Sequence, residues 1–275
     1  MPQGELTRGI TPIRCHSHND YWRRVPLFDA LAAGCTSVEA DIWPADGLAS
    51  PLVGHTRRST APDRTLRSLY IDPITAILEH RSQSNGTGDA WSPTVFDADD
   101  STPASLVLLL DFKDRSPALW AAVQAQLQPL RDRGWLTRWD PERGARVTRA
   151  VTVVATGDAP FDAIVDAAHR DVFYDAPLDR LDARYDVSNS HYASVSMGRA
   201  VGPVGWSFWP AQRAALGLQI KAAAERGLVS RYWGTASMPL VRRDGVWKGL
   251  LDLGVGVLNG DDVNCMAEML SNRLA

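Results

Sequence analysis

Lysine is scarce in this 275-residue chain: of 29 basic residues only Lys113, Lys221 and Lys248 are lysines. Arginine is the default cation, so each lysine marks a place where a compact ammonium has been kept. Cysteine is scarcer still in useful patterns. Cys15, Cys35 and Cys265 are odd in number and show no CxxC spacing, which excludes a zinc ribbon, a redox motif and a fully paired disulfide framework. They are expected to be small buried residues. No run approaches the roughly 18 apolar residues of a membrane span. The opening "MPQGELTRGITPIR" has no apolar signal region, so the expected compartment is the cytoplasm, or else the outside of the cell after removal of a leader. A net charge of −3 leaves no electrostatic footprint for nucleic acid or for an anionic membrane. Finally, no glycine-rich phosphate loop follows the first strand, which argues against a doubly wound dinucleotide-binding sheet.

What is present is alternation. Near-continuous β-branched runs such as "TSVEADIW", "ASLVLLLDFK" and "RAVTVVATGD" alternate with amphipathic stretches such as "PLFDALAAG", "DPITAILEHR" and "SPALWAAVQAQLQPLRDRG". That order belongs to a parallel sheet covered by helices. About eight strands can be counted, the number of a closed (β/α)₈ barrel, and such barrels commonly use about 250 residues in one domain. The expectation is therefore a single α/β barrel domain over residues 1–275. The polar stretch Ser82–Pro103 reads as a long solvated loop, with an active-site lid as its alternative.

Period-two alternation sorts the strand residues by face. In "VEADI", Val38, Ala40 and Ile42 suit the helix-covered outside, which turns Glu39 and Asp41 into the lumen. In "LLLDFK", Leu108, Leu110 and Phe112 face the helices and Asp111 and Lys113 point inward. In "IRCHSH", Arg14, His16 and His18 share one face, and in "RYWGT" Arg231 and Trp233 do. These polar pairs fall at carboxyl ends of strands, where barrel enzymes keep their chemistry. Three carboxylates in one lumen repel: at an effective dielectric near 20, unit charges 4 Å apart cost about 4 kcal/mol. The remedies are raised pKa values or a bound cation. All-oxygen ligation by Glu39, Asp41 and Asp111 suits Mg²⁺ or Ca²⁺ better than zinc. A barrel-core ion network with Arg14 or Lys113 is the competing account. Lys113 fits a phosphate oxygen or a metal-bound carboxylate, and His55, after "LVG", sits at a site-facing turn. His80, His169 and His191 fall in helix ends or loops with structural roles.

The segments "HSHNDYW", "VPLFDAL", "GCTSVEADIW", "LVGH", "TLRSLYIDP", "LLLDFKD" and "RYWGT" closely resemble the altered-inheritance-of-mitochondria protein 6 family of fungi and its bacterial relatives, over about Ile13 to Val263. That family lies in the superfamily of phospholipase-C-like phosphodiesterases, with glycerophosphodiester phosphodiesterases and sphingomyelinase D-type phospholipases. The resemblance implies a distorted (β/α)₈ barrel with one divalent cation, Mg²⁺ or Ca²⁺. It makes His16 the first catalytic histidine, with Asn19 a site residue after it; His18 is the other candidate, and spacing to Asn19 favours His16. It makes His55 the second catalytic histidine. Glu39, Asp41 and Asp111 become metal ligands and Lys113 a contact to substrate phosphate. Trp233 resembles an aromatic near the site, and Asp261 falls where a terminal-strand aspartate is common. Gly234 departs from the acidic residue of close relatives. The activity implied is a metal-dependent phosphodiesterase or phospholipase D-like lyase acting on a glycerophosphodiester or phospholipid head group by paired-histidine acid–base catalysis. The alternatives are a non-catalytic barrel binding phosphate or metal, and an enzyme using the same site on a non-phosphate substrate.

Overall fold

The computed structural model describes residues 7–45, 47, 50–84, 94–96 and 104–274. Eight parallel strands form the barrel: β1 (Ile13–Ser17), β2 (Cys35–Trp43), β4 (Leu106–Phe112), β7 (Val151–Gly157), β8 (Val172–Pro177), β9 (Ser190–Ser196), β10 (Val229–Trp233) and β11 (Leu258–Gly260). They pair in the order β10-β9-β8-β7-β4-β2-β1-β11. A parallel bridge between Arg231 and Val257 nearly closes the circle, with the Val257 amide donating to the Ser230 carbonyl at 3.1 Å. The expected barrel is thus the observed one. Short β3 (Leu52–Val53) runs antiparallel on β2, so "SPLVGH" pairs back instead of extending the strand.

Helices α1 (Phe28–Ala32), α2 (Asp72–Ser84), α3 (Pro117–Asp132), α4 (Phe161–Val165), α5 (Met197–Val201), α6 (Pro210–Glu225), α7 (Leu240–Asp252) and α8 (Val263–Leu274) wrap the outside. α3 begins where Ser116 caps it with Pro117 at its first turn. α1 ends at Gly34, whose φ of +84° and close approach to the Thr11 carbonyl admit no Cβ. The hairpin β5 (Arg138–Asp140) and β6 (Ala145–Val147), and helices α5 and α8, were not legible as separate elements in the sequence. β9 begins at Ser190, so His191 belongs to a strand and not to a loop.

The core divides in two. Val38, Ala40, Ile42, Leu108, Leu110 and Phe112 lie with helix residues in the outer cluster, as alternation requires. Val107, Leu109, Val154, Tyr192 and Val257 form a separate small cluster inside the lumen, below the polar residues.

Two expectations are corrected. Cys15 and Cys35 are not independent buried thiols: they form a disulfide between β1 and β2, and only Cys265 is free. Their pairing depends on neighbouring parallel strands 20 residues apart in sequence, which no local spacing rule detects. Most of the Ser82–Pro103 stretch lies outside the described residues, but α2 runs to Ser84, and Val95 and Phe96 are fully buried in the outer core. That part is packed, not solvated.

Candidate active site

The β2–β4 register sets Asp41 directly opposite Asp111, with Glu39 one inward position deeper. Ligand oxygens of Glu39, Asp41 and Asp111 lie within 4.8 Å of one another at the carboxyl-end mouth. Asp111 is seated there by Gly157 on β7, at φ +69°: a Cβ would stand 2.1 Å from Asp111 Oδ1. Lys113 follows β4 and donates to Asp111, with its Nζ 3.0 Å from Asp41 Oδ2. Burial pushes the Asp111 carboxyl up to about 6, with Lys113 opposing and the neighbouring carboxylates adding to the rise. Burial and the Glu39 charge likewise raise Asp41. Burial alone would raise Glu39 too, but the imidazoles of His16 and His18 and the Arg231 guanidinium hold it below the usual carboxylate range. Asp41 Oδ2 is buried, with charged or polar nitrogens of Lys113 and His55 at 3.0 and 3.3 Å. Three clustered carboxylates, two of them resisting ionisation, fit a hard cation with oxygen ligands. Lys113 compensates part of that charge, so the ion network expected as a competing account is present alongside the cluster, with Lys113 and not Arg14 as its member.

The two histidines of the opening motif occupy different depths. His16 is fully buried. Its Nδ1 is 2.6 Å from Ser37 Oγ, which also accepts from Tyr192, and its Nε2 is 3.3 Å from the Arg231 guanidinium. Glu39 Oε2 lies 3.7 Å from the same Nε2, so the ring stands between a cation and an anion. Burial, with Arg231 beside it, pushes the imidazole down to about 4, so it is neutral at pH 7 with both nitrogens engaged. His18 stands higher and partly open. Its Nδ1 is 2.8 Å from Asp261 Oδ1, and its Nε2 is 3.7 Å from Glu39 Oε2. Burial pulls His18 down, but the Asp261 hydrogen bond and the charges of Glu39 and Asp261 outweigh it and leave its pKa above the ordinary value.

His55 sits across the mouth, half exposed, with Nδ1 3.3 Å from both Asp41 Oδ2 and the Tyr21 hydroxyl. Tyr21 donates to Asn19 Oδ1 at 2.6 Å, and the Asn19 amide donates to Glu39 Oε2 at 3.0 Å. Asn19 takes a left-handed φ of 46°, which asparagine tolerates better than most residues. Trp233 ends β10, 44% exposed on the rim. Every site residue expected from the sequence therefore reaches the same mouth except His16, one layer below it.

Several contributors escaped the sequence reading. Asp20 is wholly buried and accepts from Ser17, Leu27 N and Tyr70, fixing the turn that carries His18 and Asn19. Arg231, noted only for sharing a face with Trp233, is the central buried cation: it donates to Ser194, Asn259 and Asp175. A carboxylate inside the apolar run "VFYDA" was the available signal for Asp175.

The AIM6-like phosphodiesterase domain matches residues 4–175. An altered inheritance of mitochondria protein 6 homolog from Arthroderma benhamiae is 38% identical over 271 residues, covering 94% of this chain and 84% of the relative. Altered inheritance of mitochondria protein 6 of Eremothecium gossypii is 35% identical over 285 residues, covering 96% of this chain and 71% of the relative. A glycerophosphoryl diester phosphodiesterase from Parabacteroides distasonis shares the fold, with a TM-score of 0.51 at 13% identity over 96% of this chain and 88% of that one. The barrel, the mouth cluster and these matches converge, and the chain belongs to the AIM6-like phosphodiesterase family.

Proposed function

We propose that the protein cleaves phosphodiesters, with His18 and His55 as the proton-transferring pair. One observation carries this reading: two imidazoles flank the carboxylate cluster, each with Nδ1 beside a carboxylate, Asp261 for His18 and Asp41 for His55. A carboxylate at Nδ1 favours the proton there, with the Asn19 side-chain amide 3.1 Å from the same His18 nitrogen, and turns Nε2 toward the cluster to take or give a proton. Burial pulls the His18 pKa down, but Asp261 and Glu39 raise it above the ordinary imidazole value, which favours the protonated form that a general acid needs. A divalent cation held by Glu39, Asp41 and Asp111 would supply positive charge to the phosphoryl oxygens. Lys113 orients the same oxygens from the β4 side, and Trp233 walls the head group. His16 then serves as a positioning residue beneath Glu39, and this shifts the first catalytic role from His16, favoured by spacing, to His18. The Cys15–Cys35 disulfide supports an oxidising compartment.

The test is turnover of bis(4-nitrophenyl) phosphate and a panel of glycerophosphodiesters, with Mg²⁺, Ca²⁺ or chelator. His18→Asn and His55→Asn should each lose about 10²–10⁴ in rate. The double variant should be little worse than the poorer single one, because both serve one cycle. Activity in His18→Asn together with its loss in a folded His16→Asn would return the role to His16. Metal or phosphate binding without turnover of any diester would make the barrel a binding module.

A further inference from the structure

Nine large apolar side chains stand exposed among the described residues, and eight of them follow the carboxyl ends of β1, β9 and β10. Only Leu218, on α6, lies elsewhere. With β11, those strands form one continuous arc of the barrel. Trp22, Trp206, Trp209, Trp233, Met238 and Leu240, between 44% and 66% exposed, make its rim. Eight exposed large apolar side chains along one arc of the mouth are not ordinary surface scatter.

The crest is built, not frayed. Arg242 on α7 donates to the Val204 and Gly205 carbonyls, tying the loop after β9 to the helix after β10. The Trp206 carbonyl lies so close to Gly245 that a Cβ there would be 2.3 Å away. Trp22 packs against His55 with ring centroids 5.0 Å apart and planes tilted by 53°, so the crest continues into the proposed active site. Arg24, two residues after Trp22, and Arg58, three residues after His55, are exposed and take part in no ion pair among the described residues.

We propose that this rim docks on a lipid surface bearing anionic phosphate head groups, and that the diester entering the site belongs to a membrane lipid. The second clause rests on the phosphodiesterase reading; the first does not. Tryptophan prefers the membrane–water boundary, where its ring is apolar and its N–H stays wet. A net charge of −3 gives the chain as a whole no pull toward an anionic surface, so the attraction to lipid phosphates is local to Arg24 and Arg58. The geometry also selects the occupant: a protein seated on this arc would cover the mouth, whereas a bilayer brings substrate to it. Docking through the rim sets the imidazoles at head-group depth.

The experiment is co-sedimentation of the full chain with sucrose-loaded phosphatidylcholine vesicles, with and without phosphatidylglycerol, alongside turnover of a water-soluble diester. Wild type should sediment, more strongly with phosphatidylglycerol. Trp206→Ser/Trp209→Ser should weaken partitioning by about tenfold or more while turnover of the soluble diester is unchanged. Arg24→Glu/Arg58→Glu should abolish the preference for anionic vesicles. Leu240→Ser serves as a second apolar variant if the tryptophan pair does not fold by circular dichroism. Absence of wild-type sedimentation with either vesicle overturns the interface, as does equal sedimentation of wild type and the apolar variants. Vesicle binding without turnover of any diester keeps the interface and overturns the phosphodiesterase reading; soluble turnover without vesicle binding does the reverse.

Discussion

Replacing Arg231 with leucine should be among the most damaging single changes in the lumen. Arg231 is 3% exposed and donates to Ser194 Oγ, Asn259 Oδ1 and Asp175 Oδ2, with His16 Nε2 at 3.3 Å and Glu39 Oε1 at 3.9 Å. Leucine approximates its apolar stem but leaves Asp175 holding only Thr156, with Oδ1 already lacking a hydrogen bond. Removing one partner of a buried ion pair costs about 3–5 kcal/mol, chiefly because the other charge stays buried and unpaired. That is a large share of the roughly 5–15 kcal/mol that holds a domain together. The assay is urea unfolding in the presence of chelator, so that no cation substitutes at Glu39. Asp175→Asn in the Arg231→Leu background should restore about 1–2 kcal/mol, since it removes the stranded charge. A loss below about 1 kcal/mol for Arg231→Leu, or strictly additive effects in the double variant, would refute the account of Arg231 as the lumen's charge anchor.

Asp41→Asn should weaken Mg²⁺ or Ca²⁺ binding severely in calorimetry; unchanged affinity would assign the carboxylates to core packing with Lys113. Lys113→Met should leave metal binding largely intact and raise the inhibition constant of inorganic phosphate at equal metal saturation, and identical constants would remove the phosphate contact. Burial, with the Arg146 guanidinium beside it, pushes His191 down to about 3. Because the unfolded imidazole takes its proton near pH 6.5, the stability His191 contributes is complete above that pH and is lost as pH falls toward 3. His191→Asn should flatten this part of the acid limb in pH-dependent unfolding, and an unaltered slope would count against a neutral imidazole there.

The barrel was legible because its strands are buried on the helix side and polar in the lumen, so alternation in "VEADI" and "LLLDFK" assigned Glu39, Asp41, Asp111 and Lys113 to one interior. Depth along the axis was not legible. His16 and His18 share a face, and only the pairing of β1 with β2 and β11 shows that one ends beneath the carboxylates and the other beside them. Asp20 was hidden for a related reason: its partners Leu27 and Tyr70 come from a turn and a distant helical segment. The rim was invisible as a unit because its residues are scattered from Trp22 to Leu240 and come to one arc only through barrel closure.

The Cys15–Cys35 link has a mechanical meaning for the mouth. β1 carries His16 and leads directly into His18, and β2 carries two of the three clustered carboxylates. In any parallel pair a slip of one residue exchanges inner and outer faces, which here would turn imidazole and carboxylate toward the helices. A covalent tie on the outer face forbids that error. It also closes a loop of about 20 residues, removing about 3 kcal/mol of disorder from the unfolded chain. The β1–β2 side of the mouth is thereby given a covalent alignment that does not depend on the helices or on the other six strands.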